Sequence, residues 1–114
     1  MNFFSSEVVR AEMAEITEMQ EDVYSNIFKF PSMTKDEKLN HVELLERLID
    51  KQKVLYTRLS LSDDIEAQQM KERIRESAIM MGMPPNMDMN IIFNNMSKSL
   101  EAMKEQIDKN DLDW

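Results

Sequence analysis

One histidine and twenty-two carboxylates are the side chains here with the most obvious capacity for acid–base or metal chemistry. His41 stands four residues after Glu37, so the two share a helix face. A two-metal site in a helical bundle needs Glu-x-x-His at a three-residue step, repeated on a second helix. Nothing in the chain repeats the pair. A lone His inside a charged helix is ordinarily a surface or core-edge residue. Without a second His it builds neither a zinc site nor a catalytic set. Cysteine is absent, which removes disulfides, thiol nucleophiles and thiolate ligands together. The single glycine, Gly82, cannot form a phosphate-cradling loop. With so many carboxylates, acid pairs at helical spacing arise without purpose and read as a solvated face. The expectation is a protein that is not an enzyme and takes no cofactor and no metal.

The elements around these residues are helical. Gly occurs once and Pro three times, too few for the turns of a sheet protein. Met, Leu, Glu, Lys and Gln, all good helix formers, dominate. Ser5 or Ser6 caps a first helix in which Val9, Met13, Ile16, Gln20, Val23 and Ile27 alternate steps of four and three. That helix is predicted to end between Phe28 and Phe30, before Pro31. Thr34-Lys35-Asp36-Glu37 is a capping box opening a second helix. Its stripe runs Leu39, Val42, Leu45, Ile49, Gln52, Tyr56 and Leu59, widened by Leu44, Leu48 and Leu55. A stripe this wide suits a core helix with more than one neighbour.

The short connection between these helices predicts a long antiparallel hairpin. A third helix follows the Ser60–Asp64 break, with Asp63 and Glu66 at capping-box spacing. Its apolar positions are Ile65, Met70, Ile74, Ala78 and Met81. Gly82 and Pro84-Pro85 end it. A fourth begins between Pro85 and Asp88 and carries Met89, Phe93, Met96, Leu100, Met103 and Ile107. The fold class is all-α: a long antiparallel hairpin plus two further helices, bundle-like, in one domain over residues 1–114. An acidic tail from about residue 108 to 114 is expected to fray.

Net charge is −8, which argues against nucleic acid and against anionic membrane surfaces as partners. No apolar run approaches the roughly 20 residues of a membrane span. The first residues lack the basic-then-apolar order of a signal peptide. The expected location is the cytoplasm. The acidic first helix and the slightly basic second should pair side by side.

Three features point to a protein partner. Met80, Met83 and Met87 flank the Gly82-Met83-Pro84-Pro85 connection, and Met is favoured on adaptable binding surfaces as well as in small cores. Phe3, Phe4 and Val8 make an apolar N-terminal end that either tucks inward or meets a partner. Gln20 and Gln52 are polar members of two apolar seams, a device that fixes register. Phe3, Phe4, Val8, Met80, Met83 and Met87 are the candidate partner-binding residues. A thin core and apolar groups off the main seams (Phe3, Phe4, Val8, Met19, Phe30, Met83) favour a homodimer or larger oligomer.

Three stretches carry a resemblance: Phe3-Phe4-Ser5-Ser6-Glu7-Val8-Val9, Leu48-Ile49-Asp50-Lys51-Gln52-Lys53 and Leu59-Ser60-Leu61-Ser62-Asp63-Asp64. Together they resemble a family of short helical proteins of unknown function in cyanobacteria and the tailed phages that infect them. Family members often have Pro after the Asp pair; Ile65 takes that place here. The resemblance implies the host cell cytoplasm and carries no catalytic residue. The function expected on these grounds is a protein–protein interaction or regulatory module, a phage or host regulator acting on a cyanobacterial host complex. The alternative is a structural or assembly accessory of a phage particle.

Overall fold

The computed structural model describes residues 2–80 and 82–110. Four α-helices carry the fold: α1 (Glu7–Asn26), α2 (Lys35–Leu61), α3 (Ile65–Met80) and α4 (Met89–Asn110). Among the described residues there is no strand. The 27 residues of α2 make a spine about 40 Å long, against which α1, α3 and α4 all pack. The chain extends over 55 × 32 × 19 Å, with a radius of gyration of 16.5 Å. A compact chain of this length would have about 13 Å, so the helices are spread along the spine.

Each start is fixed by a side chain that satisfies orphan N–H groups. The Ser6 hydroxyl accepts from Val9 N–H at the head of α1. At α2 the Thr34 hydroxyl accepts from Glu37 N–H at 3.2 Å, while the Glu37 carboxylate accepts from Thr34 N–H at 3.1 Å. These reciprocal bonds hold the Glu37 carboxyl below its ordinary range. The capping box read from the sequence is therefore formed.

At α3 the cap is Asp64, one residue later than the Asp63 expected. Asp64 Oδ1 accepts from Glu66 N–H at 2.8 Å, and its backbone carbonyl accepts from Gln68 N–H. The apolar stripe of α3 changes with it. Ile65 is 74% exposed, and Ala67 is fully buried in its stead. Ala67, Met70, Ile74 and Ala78 follow steps of three, four and four, whereas Ile65 points some 140° away from Met70 at 100° per residue. Met81, the last expected position, lies outside the described residues.

The end of α1 also departs from expectation. The α-helix stops at Asn26, and a 3-10 segment, Ile27–Ser32, carries the chain through Pro31. The residue before a proline is disfavoured in the α region, and proline donates no N–H. Local donors fill in: Ser25 Oγ and Asn26 Nδ2 both donate to the Asp22 carbonyl. The tighter winding rotates the apolar stripe off the core, so Ile27 is 49% exposed.

Gly82 terminates α3 with φ +107°, a region open to glycine. Gly82 N–H donates to Ile79 O and Met83 N–H to Ala78 O, both at 3.0 Å. This is a Schellman end. It folds Met83 back beside Ala78 and into the core. Asp88 caps α4 through Asn90 N–H. That helix runs to Asn110, so the tail expected to fray from about residue 108 is helical at its start. Residues 111–114 lie outside the described residues.

Ion pairs register the helices. Glu12 with Arg58 and Glu15 with Lys51 join α1 to α2, and Glu46 with Lys104 joins α2 to α4. With Lys53 donating to Asn94 as a second α2–α4 contact, rising numbers on one helix meet falling numbers on the other in both helix pairs, as antiparallel packing requires. The long hairpin is therefore the observed arrangement of α1 and α2.

Candidate functional site

The two sides of α2 carry two cores, bridged by the half-buried Leu45 and Ile74. On one, Val9, Ile16 and Val23 of α1 meet Leu48, Leu55 and Leu59, with Ala67 of α3. On the other, Val42, Ile49 and Tyr56 meet Met83 and Met89, Phe93 and Leu100 of α4. Helices α1 and α4 thus stand on either side of the spine, and each packs far more on α2 than on the other.

The space between them is an apolar groove of about 650 Å³. One wall is Met13, Ile16, Thr17 and Gln20 of α1. The floor is Gln52, Leu55 and Tyr56 of α2. Met70, Ile74, Ser77 and Ala78 of α3 border it too. Met89, Ile92, Phe93 and Met96 of α4, with Met83, form the other wall. A second depression, bordered by Ile49, Asn95, Ser99 and Leu100, shares Ile92 and Met96 and continues the groove along α4. No Asp, Glu, Lys or Arg lines either part, in a chain that is 32% charged.

The polar groups in the groove are neutral. Thr17 Oγ1 donates to the Met13 carbonyl at 3.0 Å. Burial pushes the Tyr56 phenol above its ordinary pKa, so the floor carries no charge at physiological pH. The amides of Gln20 and Gln52, half-buried, line the same groove. Sequence alone left open whether these two seam residues share a surface; they do. Five methionines (Met13, Met70, Met83, Met89, Met96) line it, giving walls of soft, rotatable side chains.

The candidate residues of the sequence divide. Met83 is buried and lines the groove. Met87 is half-buried against the α4 core. Phe3 and Phe4, their rings 5.0 Å apart and edge-on, pack against the α1 core. Val8 and Met80 are 56% and 88% exposed. Met19 and Phe30, two further residues off the seams, also pack inward. The groups that motivated a homodimer are therefore largely covered within the chain, Val8 excepted. The signal for the actual groove lay in Met13, Gln20, Gln52 and Met96, each a seam member in the sequence. What hid it was that seam position normally means burial.

A second polar feature ties the N-terminus down. Asp64 Oδ2 accepts from Phe3 N–H at 2.7 Å while Oδ1 caps α3. The Phe3 and Glu66 N–H bonds hold the Asp64 carboxyl below its ordinary range. His41 is buried, with the Phe30 ring 5.5 Å from its own. Among the described residues no group of three or more His, Cys, Asp or Glu is placed to hold a metal ion. Among them, no helix is long and apolar enough to cross a membrane.

Fold and groove define a small all-helical scaffold with an open, uncharged interhelical cleft. Residues 1–107 match the model of a family described as a domain of unknown function, DUF1825, and the chain belongs to that family. The match takes in every residue of the groove. No curated protein and no solved structure matches the chain.

Proposed function

We propose that this protein is a non-enzymatic protein-binding module whose partner docks in the groove between α1 and α4. The observation that carries this reading is the groove's uncharged, methionine-rich lining. Apolar clefts with a few polar groups are the usual form of binding sites. Methionine-rich surfaces repack around the groups they bind. Following the resemblance in Phe3–Val9, Leu48–Lys53 and Leu59–Asp64, we place its action in the cytoplasm of a cyanobacterium, as a host or phage regulator of a host complex.

The test is affinity isolation from cyanobacterial cells with tagged wild type and Met96→Asp. Met96 is 39% exposed at the edge of the groove, so the substitution alters the cleft more than the core. One complex recovered in near-stoichiometric amount with wild type and lost with Met96→Asp is the expected result. Identical recoveries with both would overturn docking in the groove. Recovery of the protein in purified phage particles would instead favour an accessory of the particle.

A further inference from the structure

We infer that the groove is a reversible oxidation site: a peroxide converts its methionines to sulfoxides, and oxidation of Met83 and Met89 releases α4 from α2 while the α1–α2 hairpin stays packed. The inference concerns the chain's own sulfur chemistry and does not depend on a partner docking in the groove. Sulfur enters this chain only through its 12 methionines, because cysteine is absent. No thiolate therefore competes with the thioethers for peroxide. Five of those thioethers converge on one open space from four elements: Met13 of α1, Met70 of α3, Met83 of the connection, and Met89 and Met96 of α4. No charged side chain lines that space, and hydrogen peroxide is small and neutral. Access to the five is graded. Met96 is exposed at the edge, Met13 and Met70 are half-buried, and Met83 and Met89 are buried.

The two cores differ in what oxidation does to them. Among the described residues, the buried members of the α4 core include Met83 and Met89, whereas those of the hairpin core include no sulfur. Met13, Met19 and Met70 lie half-buried around the hairpin core, where a sulfoxide can turn its oxygen to water. At Met83 and Met89 that escape is closed. Of the buried residues clustered with them only Tyr56 has a side-chain donor, and a buried acceptor without a donor is strongly unfavourable. Met83 is also the residue that the Gly82 turn folds back beside Ala78. A sulfoxide there opposes the attachment of α4 where that helix begins.

The chemistry balances without a cofactor. The sulfur lone pair attacks one peroxide oxygen; an S–O bond forms, the O–O bond breaks, and the second oxygen leaves as water. Sulfur loses two electrons and the peroxide gains them. The return step belongs to a methionine sulfoxide reductase and a dithiol. The sulfoxide oxygen leaves as water while the dithiol becomes a disulfide.

Full-length protein is treated with hydrogen peroxide. Mass spectrometry follows each methionine, and hydrogen exchange follows each helix, over one time course. Met80 and Met103, exposed and outside the groove, should oxidise early with no change in exchange. Exchange in α4 should quicken about tenfold or more as Met83 and Met89 oxidise, against less than about twofold in α1. Reductase with dithiothreitol should restore the protection of α4. The double variant Met83→Leu with Met89→Leu nearly conserves volume. It should oxidise at Met80, Met96 and Met103 yet keep α4 protected.

Equal quickening in α1 and α4 would overturn the inference. So would quickening that tracks Met80 or Met103, full protection of α4 with Met83 and Met89 oxidised, or a Met83 and Met89 pair that stays reduced after the exposed methionines are consumed. Loss of protection in the peroxide-treated double variant would do the same. If that variant does not fold, the wild-type time course decides alone. Failure of the reductase to restore α4 would make the oxidation a lesion and overturn its reversibility.

Discussion

The two faces of α2 are built from different materials. Toward α1 the fully buried contact is made of Val, Ile and Leu, with Ala67 closing one end, and Met13, Met19, Met70, Phe3 and Phe4 pack around it half-buried. Toward α4 it is made of Met83, Met89, Phe93 and Tyr56, with Val42, Ile49 and Leu100. Branched aliphatic side chains have few rotamers and set a spacing firmly. Methionine and aromatic side chains fill irregular space and tolerate adjustment. The buried centre of the hairpin face is therefore the more rigid and that of the α4 face the more adaptable. Their meeting line, along Gln52, is where neither core closes.

The sharpest way to break this comparison is a double-mutant cycle across the spine. Leu59 is fully buried on the α1 side, and Phe93 is buried on the α4 side. Phe93→Ala should cost about 3–5 kcal/mol and Leu59→Ala about 2–5 kcal/mol in denaturant unfolding. If the two cores are independent, the double variant should show the sum within about 0.5 kcal/mol. A coupling above about 1 kcal/mol would mean that α2 transmits packing between its faces as one core.

A smaller effect sharpens the account of how α4 is attached. Gly82→Ala should cost about 1–2 kcal/mol, because an L side chain is strained at φ +107° although a Cβ would meet open space there. The loss should fall on the α4 face, since Gly82 directs Met83 into that core. Hydrogen exchange should quicken in α4 more than in α1; equal quickening in both would detach the turn from the α4 face. By comparison, losing the Thr34 cap, which serves the hairpin, should cost about 1 kcal/mol.

The smallest effect concerns the N-terminal tie on the hairpin side. Folding lowers the Asp64 pKa through the Phe3 and Glu66 N–H bonds. A lowered folded pKa gives stability that is present above the unfolded value, about 3.9. It is lost as pH falls through the lowered folded value. The Phe3 amide resonance should therefore titrate with a midpoint below about 3.9, and Asp64→Asn should abolish that titration. A midpoint at or above the ordinary Asp value would show that the carboxylate does not hold Phe3.

The sequence by itself determined what is local. Thr34 and Glu37 sit at the spacing at which two backbone N–H groups are satisfied reciprocally, so the start of α2 was legible without any neighbour. Gly82 before Pro84 marked the end of α3, because glycine takes a positive φ without penalty. The heptad steps of Val9, Ile16 and Val23 placed the core face of α1, and the wide stripe of α2, Val42, Ile49 and Tyr56 broadened by Leu44, Leu48 and Leu55, called for more than one neighbour.

Tertiary structure decided which side chains that period actually buries, because burial depends on how many neighbours a helix has. Helix α4 packs chiefly on α2, so its stripe narrows to Met89, Phe93 and Leu100, with Met96 and Met103 left at the edge. Asp64, which caps α3 in place of Asp63, also accepts from Phe3 N–H at 2.7 Å, a contact across 61 residues that no local pattern encodes. The groove arises in the same way. Its residues come from four helices, and the splay of α1 and α4 about α2 follows from the volumes of two cores, which a linear period does not contain.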